Sequence, residues 1–372
     1  MMRLRQLDPD NHRDVNQFVE FPFALYRGCP QWTPPLRRAA RQILDRRRHP
    51  FYAHSTADFF VVERDGATIG RMAMLENRRY NDFRQSRAAF FGYFDVVEEI
   101  EVARMLFAAA FAWARQRGLD CIIGPRGVIG VDGSVLVEGF AHRAALAIPY
   151  NYPYYDAFIR DAGFRKSADL LSGYLPASHA MPERMRRIAD KVMARRGFRL
   201  KSFRSKAEIK RWLPRIVAVH QAAFSQTRSY YPPTEAEVEE VIGTLLLIID
   251  PQLVKLILVE EEIVGFILAF HDISAGLQRA NGNLFPFGWF HIWRDRRRTP
   301  WVNVSAVGLL PQYQGLGANV MLYAELEKII HQSQFAHVEV IQVDEANSRS
   351  RADMEHIGVQ WYKRHRHYQI DL

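Results

Sequence analysis

Cysteine is nearly missing from this sequence: Cys29 and Cys121 are the only two in 372 residues. Such a pair supplies neither a disulfide framework nor a metal-ligand cluster, so no metal is expected, and the sparing use fits a reducing compartment. Long hydrophobic runs are missing as well. No window approaches the ~18 uninterrupted apolar residues of a membrane-spanning helix, and the opening MMRLRQLDPD lacks the apolar stretch of a secretory signal. The expectation is a cytoplasmic protein, soluble or peripheral at the inner membrane face. The composition also lacks the polar excess of a disordered chain, with 48% hydrophobic and 24% charged residues.

What is present exceeds one ordinary core and suits two domains of roughly 150 to 200 residues each. The net charge of +9 predicts a surface that attracts anions, whether nucleotide phosphates, nucleic acid or acidic lipid headgroups, without choosing among them. In the first half, Phe59 to Val62 and Thr68 to Leu75 read as strands joined at Asp65-Gly66, a hairpin signal. Ala88 to Val96 is a further strand. Val102, Leu106, Ala109, Ala110 and Trp113 then recur at helical spacing before Gly118, and Cys121 to Gly124 is a short buried strand. The second half repeats that order: a helix over Glu235 to Ile248, a hairpin over Leu253 to His271, a strand over Val302 to Leu310, a helix over Gly317 to Gln332 and a strand over His337 to Val343. The linker signal lies at Pro176 to Pro182, giving expected domains 1–180 and 181–372. Just beyond it, Glu183 to Arg196 is a helix carrying Arg184, Arg186, Arg187, Lys191, Arg195 and Arg196, whose simplest reading is a solvated face.

The most informative segment is Val307 to Asn319, VGLLPQYQGLGAN, where a buried strand gives way through glycines to a helix. Glycine lets backbone amides approach a ligand closely, and a helix N-terminus adds unpaired N–H groups and a positive dipole end, so the junction suits an anion. Pro311 to Gly317 resembles the acyl-CoA signature of the GNAT superfamily: Gln or Arg, two residues, Gly, one residue, then Gly or Ala. Gln314 and Gly317 fall on its first two fixed positions, and Asn319 replaces the small residue of the third. Downstream, Asn347 to Val359 resembles the next motif of that superfamily, with Asn347 as helix cap and Gly358 closing the helix.

The resemblance covers about residues 198–372 as one GNAT domain and, more weakly, 1–175 as a second. It implies an α/β (α+β) class fold of two domains, each a mixed, mostly antiparallel sheet flanked by helices. In the first copy NYPYY at Asn151 to Tyr155 echoes the second motif, but the pyrophosphate loop is replaced by Asp95 to Glu101, without glycine and with four carboxylates. A polyphosphate there would meet bulk and like charge, so the N-terminal copy is expected not to hold CoA.

As what the resemblance implies, the donor substrate is acetyl-CoA or a longer acyl-CoA. Val307, Leu309 and Leu310 would pair with the pantetheine arm, Gln314, Gly315, Leu316, Gly317, Ala318 and Asn319 would cradle the pyrophosphate, and Asn347 would touch the arm. An amine would attack the thioester directly, with a strand amide near Leu309 stabilising the oxyanion. The family's tyrosine acid, seven residues after the asparagine, is Met354 here, and methionine donates no proton. Ser305, Glu339 and Tyr231 are the candidates for proton transfer.

A clue to the acceptor is NGNLFPFGWFHIWRDRRRTPW at Asn281 to Trp301, an insertion that mixes six large aromatic residues with four arginines. Aromatic rings favour the headgroup region and arginines favour anionic lipid, so residues 285–301 are a candidate peripheral contact with acidic membrane, with packing against the N-terminal domain as the plainer reading. The expected acceptor is a small-molecule or lipid amine such as a sphingoid base. Two alternatives stay open: a transferase of tandem-GNAT build that takes aminoacyl groups from tRNA, although nucleic acid is not the expected partner, and a non-catalytic acyl-CoA sensor.

Overall fold

The computed structural model describes residues 1–128, 133–195 and 197–372, so Arg196 of the basic helix lies outside the described residues. The chain forms two compact units. Unit 1 takes residues 1–170, 274–294 and 363–372, and unit 2 takes 171–273 and 295–362.

In unit 1 the strands are β1 (Met2–Gln6), β2 (Thr56–Arg64), β3 (Ala67–Glu76), β4 (Ala88–Val96), β5 (Cys121–Gly124) and β6 (Val135–Glu138). β1 to β4 pair antiparallel in chain order, and β4 then pairs parallel with β5 from Ala88↔Cys121 to Phe90↔Ile123. The β2–β3 turn is the expected Asp-Gly: Asp65 and Gly66 both take positive φ, 50° and 81°, matching the twist of the hairpin. Helix Ile100–Gln116 buries Val102, Leu106, Ala110 and Trp113 against this sheet, the stripe predicted from spacing.

The strands of unit 2 are β7 (Arg165–Pro176), β8 (Phe198–Ser202), β9 (Val254–Val259), β10 (Glu262–His271), β11 (Trp301–Leu309) and β12 (His337–Asp344), ordered β7-β12-β11-β10-β9-β8. The chain passes from unit 1 to unit 2 within β7 and returns within β13 (Gln360–Asp371), whose Tyr368 to Asp371 pair with β5. Val302, Val304, Val338 and Val340 point to one face, where helices Glu183–Arg195 and Ala318–His331 pack. Leu256, Leu258 and Phe266 point to the other, under helix Lys206–Phe224, which buries Ile209, Leu213 and Val219.

The insertion between β10 and β11 is largely helical. It forms helices Ser274–Ala280 and Gly288–Arg298, and residues 274–294 belong with unit 1. Gln278 Nε2 donates to the carbonyls of Pro30 and Trp32 at 2.7 and 2.9 Å, and Arg37 N donates to Gly282 O at 2.9 Å.

Candidate functional site

In unit 2 the parallel strands β11 and β12 pair from Trp301↔His337 only as far as Val304↔Val340, although β11 runs on to Leu309 and β12 to Asp344. The reason lies on the other side of β11. Its register with β10 runs from Leu309↔Gly265 to Ala306↔Leu268 and then jumps to Val304↔Ala269, so Ser305 is an extra residue in a bulge. A bulge bends its strand and sharpens the local twist, and here the bend falls where the partner strand is lost.

Beyond the bulge, Leu310 N donates to Val264 O at 2.9 Å. Main-chain groups alternate sides along a strand, so Gly308 and Ala306 also face β10, while Leu309 and Val307 present theirs to the side that β12 has left. Gln314 marks that side, since its Nε2 donates to Leu309 O at 3.2 Å while its Oε1 accepts from Arg349 at 3.3 Å. The Leu309 N–H is the main-chain donor nearest the end of this edge.

The edge leads into the glycine turn. Gly315 and Gly317 take φ of 74° and 81°, and helix Ala318–His331 starts with Gly317 as its cap residue. A Cβ on Gly315 would meet nothing within 4 Å, whereas one on Gly317 would meet Ile188 Cγ2 and Val192 Cγ2 at 3.1 and 3.2 Å. Gln314 and Gly315 are exposed and Leu316 and Gly317 half-buried, so the turn is open to an anion. Asn319, the departure from the family pattern, turns its side chain to helix Ser348–Ile357, where Nδ2 donates to Asp353 Oδ2 at 2.5 Å. Burial pushes the Asp353 carboxyl and the Tyr323 hydroxyl beside it above their usual pKa values. Asn347 caps that helix by accepting from Ser350 N at 3.1 Å, and Met354 is buried in the core.

The three proton-transfer candidates do not share one setting. Ser305 is the exposed bulge residue, and Glu339 is buried on β12 opposite Asn303. Tyr231 is buried, and its hydroxyl donates to Glu237 Oε1 at 2.8 Å. Glu237 in turn closes the capping box of helix Glu235–Ile248 with Thr234, which ties Tyr231 to a helix start.

Two residues were not anticipated from sequence. Asn303 is wholly buried on β11, one residue before the strands part, and neither atom of its amide has a hydrogen-bond partner among the described residues. Alternation places Asn303 and Glu339 on the face opposite Val302 and Val340. His220, in the last turns of helix Lys206–Phe224, keeps an exposed edge while its ring lies 4.7 Å from Phe224 and 5.7 Å from Phe266. The crowding on that side lowers its pKa below the ordinary imidazole value. Nothing in the spacing of HQAAF marks it.

In unit 1 the equivalent edge is filled from within. Val96 pairs with Gly70 as Leu309 pairs with Gly265, but Val96 N donates to Tyr155 Oη at 3.1 Å and Val96 O accepts from Tyr154 at 2.7 Å. Tyr155 is held in turn by Tyr26, 2.9 Å away. Three of the four carboxylates have arginine partners: Asp95 accepts from Arg71 at 2.8 Å, Glu99 pairs with Arg64, and Glu101 shares Arg104 with Asp161, at 2.6 and 2.8 Å. Phenols, rather than like charge, occupy the edge.

No known family profile matches the chain. Protein YghO of Escherichia coli K12 is 26% identical over 376 residues, covering 97% of this chain and 94% of its own. A bacterial ceramide synthase of Caulobacter vibrioides is 23% identical, covering 96% and 95%. Among solved structures, a tandem GNAT protein from the clavulanic acid biosynthesis pathway matches with a TM-score of 0.57 at 14% identity, over 100% of this chain and 98% of that one. A GCN5-related N-acetyltransferase from Sphaerobacter thermophilus matches with a TM-score of 0.51 at 13% identity, over 100% and 95%. With two successive copies of one strand order and a whole-length match to a tandem protein, the chain has the tandem GNAT fold.

Proposed function

We propose that this chain is an acyl-CoA-dependent N-acyltransferase whose working site lies in the C-terminal copy, residues 181–372, with an N-terminal copy that does not hold CoA. The observation that carries the reading is the parting of β11 and β12 after Val304 and Val340, which leaves a main-chain edge running straight into the Gln314–Asn319 turn. An acyl-CoA laid along that edge would pair its pantetheine amides with Val307 and Leu309 and place its pyrophosphate on the amides at the turn, where the helix dipole favours negative charge.

A neutral amine attacks the thioester carbonyl, a strand amide of the exposed edge near Leu309 donates to the oxygen as it gains charge, and the C–S bond breaks to release CoA thiolate and the amide. The proton lost from nitrogen passes to a base, for which His220 and buried Glu339 stand on the face away from the glycine turn. The freed thiolate takes up a proton from water, since Met354 supplies none. Asn303, whose amide has no hydrogen-bond partner among the described residues, is the polar group we assign to the acceptor, which would have to open the sheet locally to reach it. A relative named bacterial ceramide synthase supports an amphiphilic amine, such as a sphingoid base, as that acceptor.

The test is to incubate the purified chain with acetyl-CoA or palmitoyl-CoA over a panel of soluble amines and sphinganine, reading thiol release and the amide by mass spectrometry. Amide formation with a long-chain amine is expected. Acyl-CoA binding without turnover over the whole panel would make the protein a sensor, and no binding would end the reading.

A further inference from the structure

Helix Gly288–Arg298 has an exposed face that its own fold leaves uncovered. Trp289, Phe290, Trp293, Arg294, Arg297 and Arg298 recur one, three and four residues apart and are all exposed, while Gly288, Asp295 and Thr299 form the buried side. The face is divided end to end, with aromatic rings on its first half and arginines on its second. The preceding loop adds Phe285 and Phe287, which are 81% and 70% exposed, beside Trp289 at 52%, Phe290 at 40% and Trp293 at 46%. Lone exposed apolar residues are ordinary on soluble proteins, but contiguous large ones mark an interaction surface.

The surface is also held in shape. Trp289 N donates to Leu284 O at 2.8 Å, and a Cβ on Gly288 would fall 1.7 Å from Asn283 O, so the loop is folded tightly against the first turn of the helix. The rings of Phe290 and Trp293 stack at 5.9 Å. Trp289 Nε1 already donates to Pro286 O at 3.0 Å, so its indole can enter an apolar phase without stranding a donor.

We infer that this face docks the protein on an anionic phospholipid bilayer. Aromatic rings at one end match the acyl–headgroup boundary, and Arg294, Arg297 and Arg298 at the other match lipid phosphates, which guanidinium groups bind through paired hydrogen bonds. Charge complementarity selects that occupant, since the chain as a whole carries +9. No helix among the described residues is long and apolar enough to cross a membrane, so the contact is interfacial. The inference deepens the reading above by giving an amphiphilic acceptor a route from the bilayer, but its observations are separate from the CoA site.

The test is cosedimentation of the full chain with sucrose-loaded vesicles of phosphatidylcholine alone or with about one third phosphatidylglycerol. The parent chain is expected to pellet with the anionic vesicles and to release as salt rises. Two triple variants, F287S/W289S/W293S and R294E/R297E/R298E, should each lose at least about tenfold in bound fraction. Acyl-CoA affinity by calorimetry and Tm should stay at the parent value in both, which separates this inference from the enzymatic one. Failure of the parent chain to pellet, pelleting that survives both variants, or a parent dimer that the aromatic variant turns to monomer would each overturn it.

Discussion

Gly315 and Gly317 are predicted to matter for ligand binding more than for folding, and one set of alanine substitutions separates the two. All three glycines in the set have similar backbones: φ is 74° at Gly315, 81° at Gly317 and 81° at Gly66 in the unit 1 hairpin. A Cβ finds open space at Gly315 and Gly66, so Gly315→Ala and Gly66→Ala should each cost only the left-handed strain of about 1 kcal/mol. That lowers Tm by roughly 2–4 °C for a domain of this size. Gly317→Ala adds crowding against Ile188 and Val192 at 3.1 and 3.2 Å and should cost about 2 kcal/mol. If the turn holds a diphosphate, relaxing its strain re-aims amides that each contribute about 1.5–3 kcal/mol to a charged acceptor. Acyl-CoA Kd by calorimetry should then rise about 10- to 100-fold for both turn variants and stay unchanged for Gly66→Ala. Equal Kd values across all three, with Tm lowered as calculated, would refute the anion-cradle argument.

Further expectations concern single side chains. Asn303→Leu should raise Tm by removing a buried amide without partners among the described residues, a gain of about 1 kcal/mol, while kcat/KM for the accepted amine falls at least about tenfold; a lowered Tm would show instead that the amide is satisfied in the resting protein. Tyr155→Phe should destabilise unit 1 by about 1–3 kcal/mol, because Val96 N loses its acceptor, with acyl-CoA stoichiometry staying at one per chain by calorimetry; a stoichiometry of two would contradict the filled edge. Burial opposes the charge of Asp169, but Arg366 and Lys166 prevail and hold its carboxyl at about 2. Its contribution is therefore present above the unfolded carboxylate value, about 3.9, and is lost as pH falls toward about 2. Tm recorded through that window should drop in the parent chain, whereas Asp169→Asn should start lower and show a shallower acid limb.

Much of this architecture is legible in the sequence because local chemistry and tertiary role agree. Asp65-Gly66 can only be a tight turn, the stripe from Val102 to Trp113 faces a sheet, and glycines after a buried strand mark a helix start open to anions. What stays hidden depends on partners far along the chain. The bulge at Ser305 comes from register with β10, the uncompensated amide of Asn303 from its neighbours in the sheet, and the lowered pKa of His220 from Phe266, 46 positions away. Charge counting over Asp95 to Glu101 likewise could not show which carboxylates are paired, since their arginine partners come from other elements and from a later helix turn.

The passage of β7 and β13 between the units has a consequence for the chain's history and handling. β7 lies in the first half of the sequence yet flanks β12, and β13 closes the sequence yet pairs with β5. Severing the polypeptide near residue 180 would leave each fragment with a strand that has lost its neighbour and a sheet that has lost an edge. On the function proposed above, the N-terminal copy is kept for its strand rather than for a ligand, because the sheet of unit 2 takes β7 from the first half of the chain.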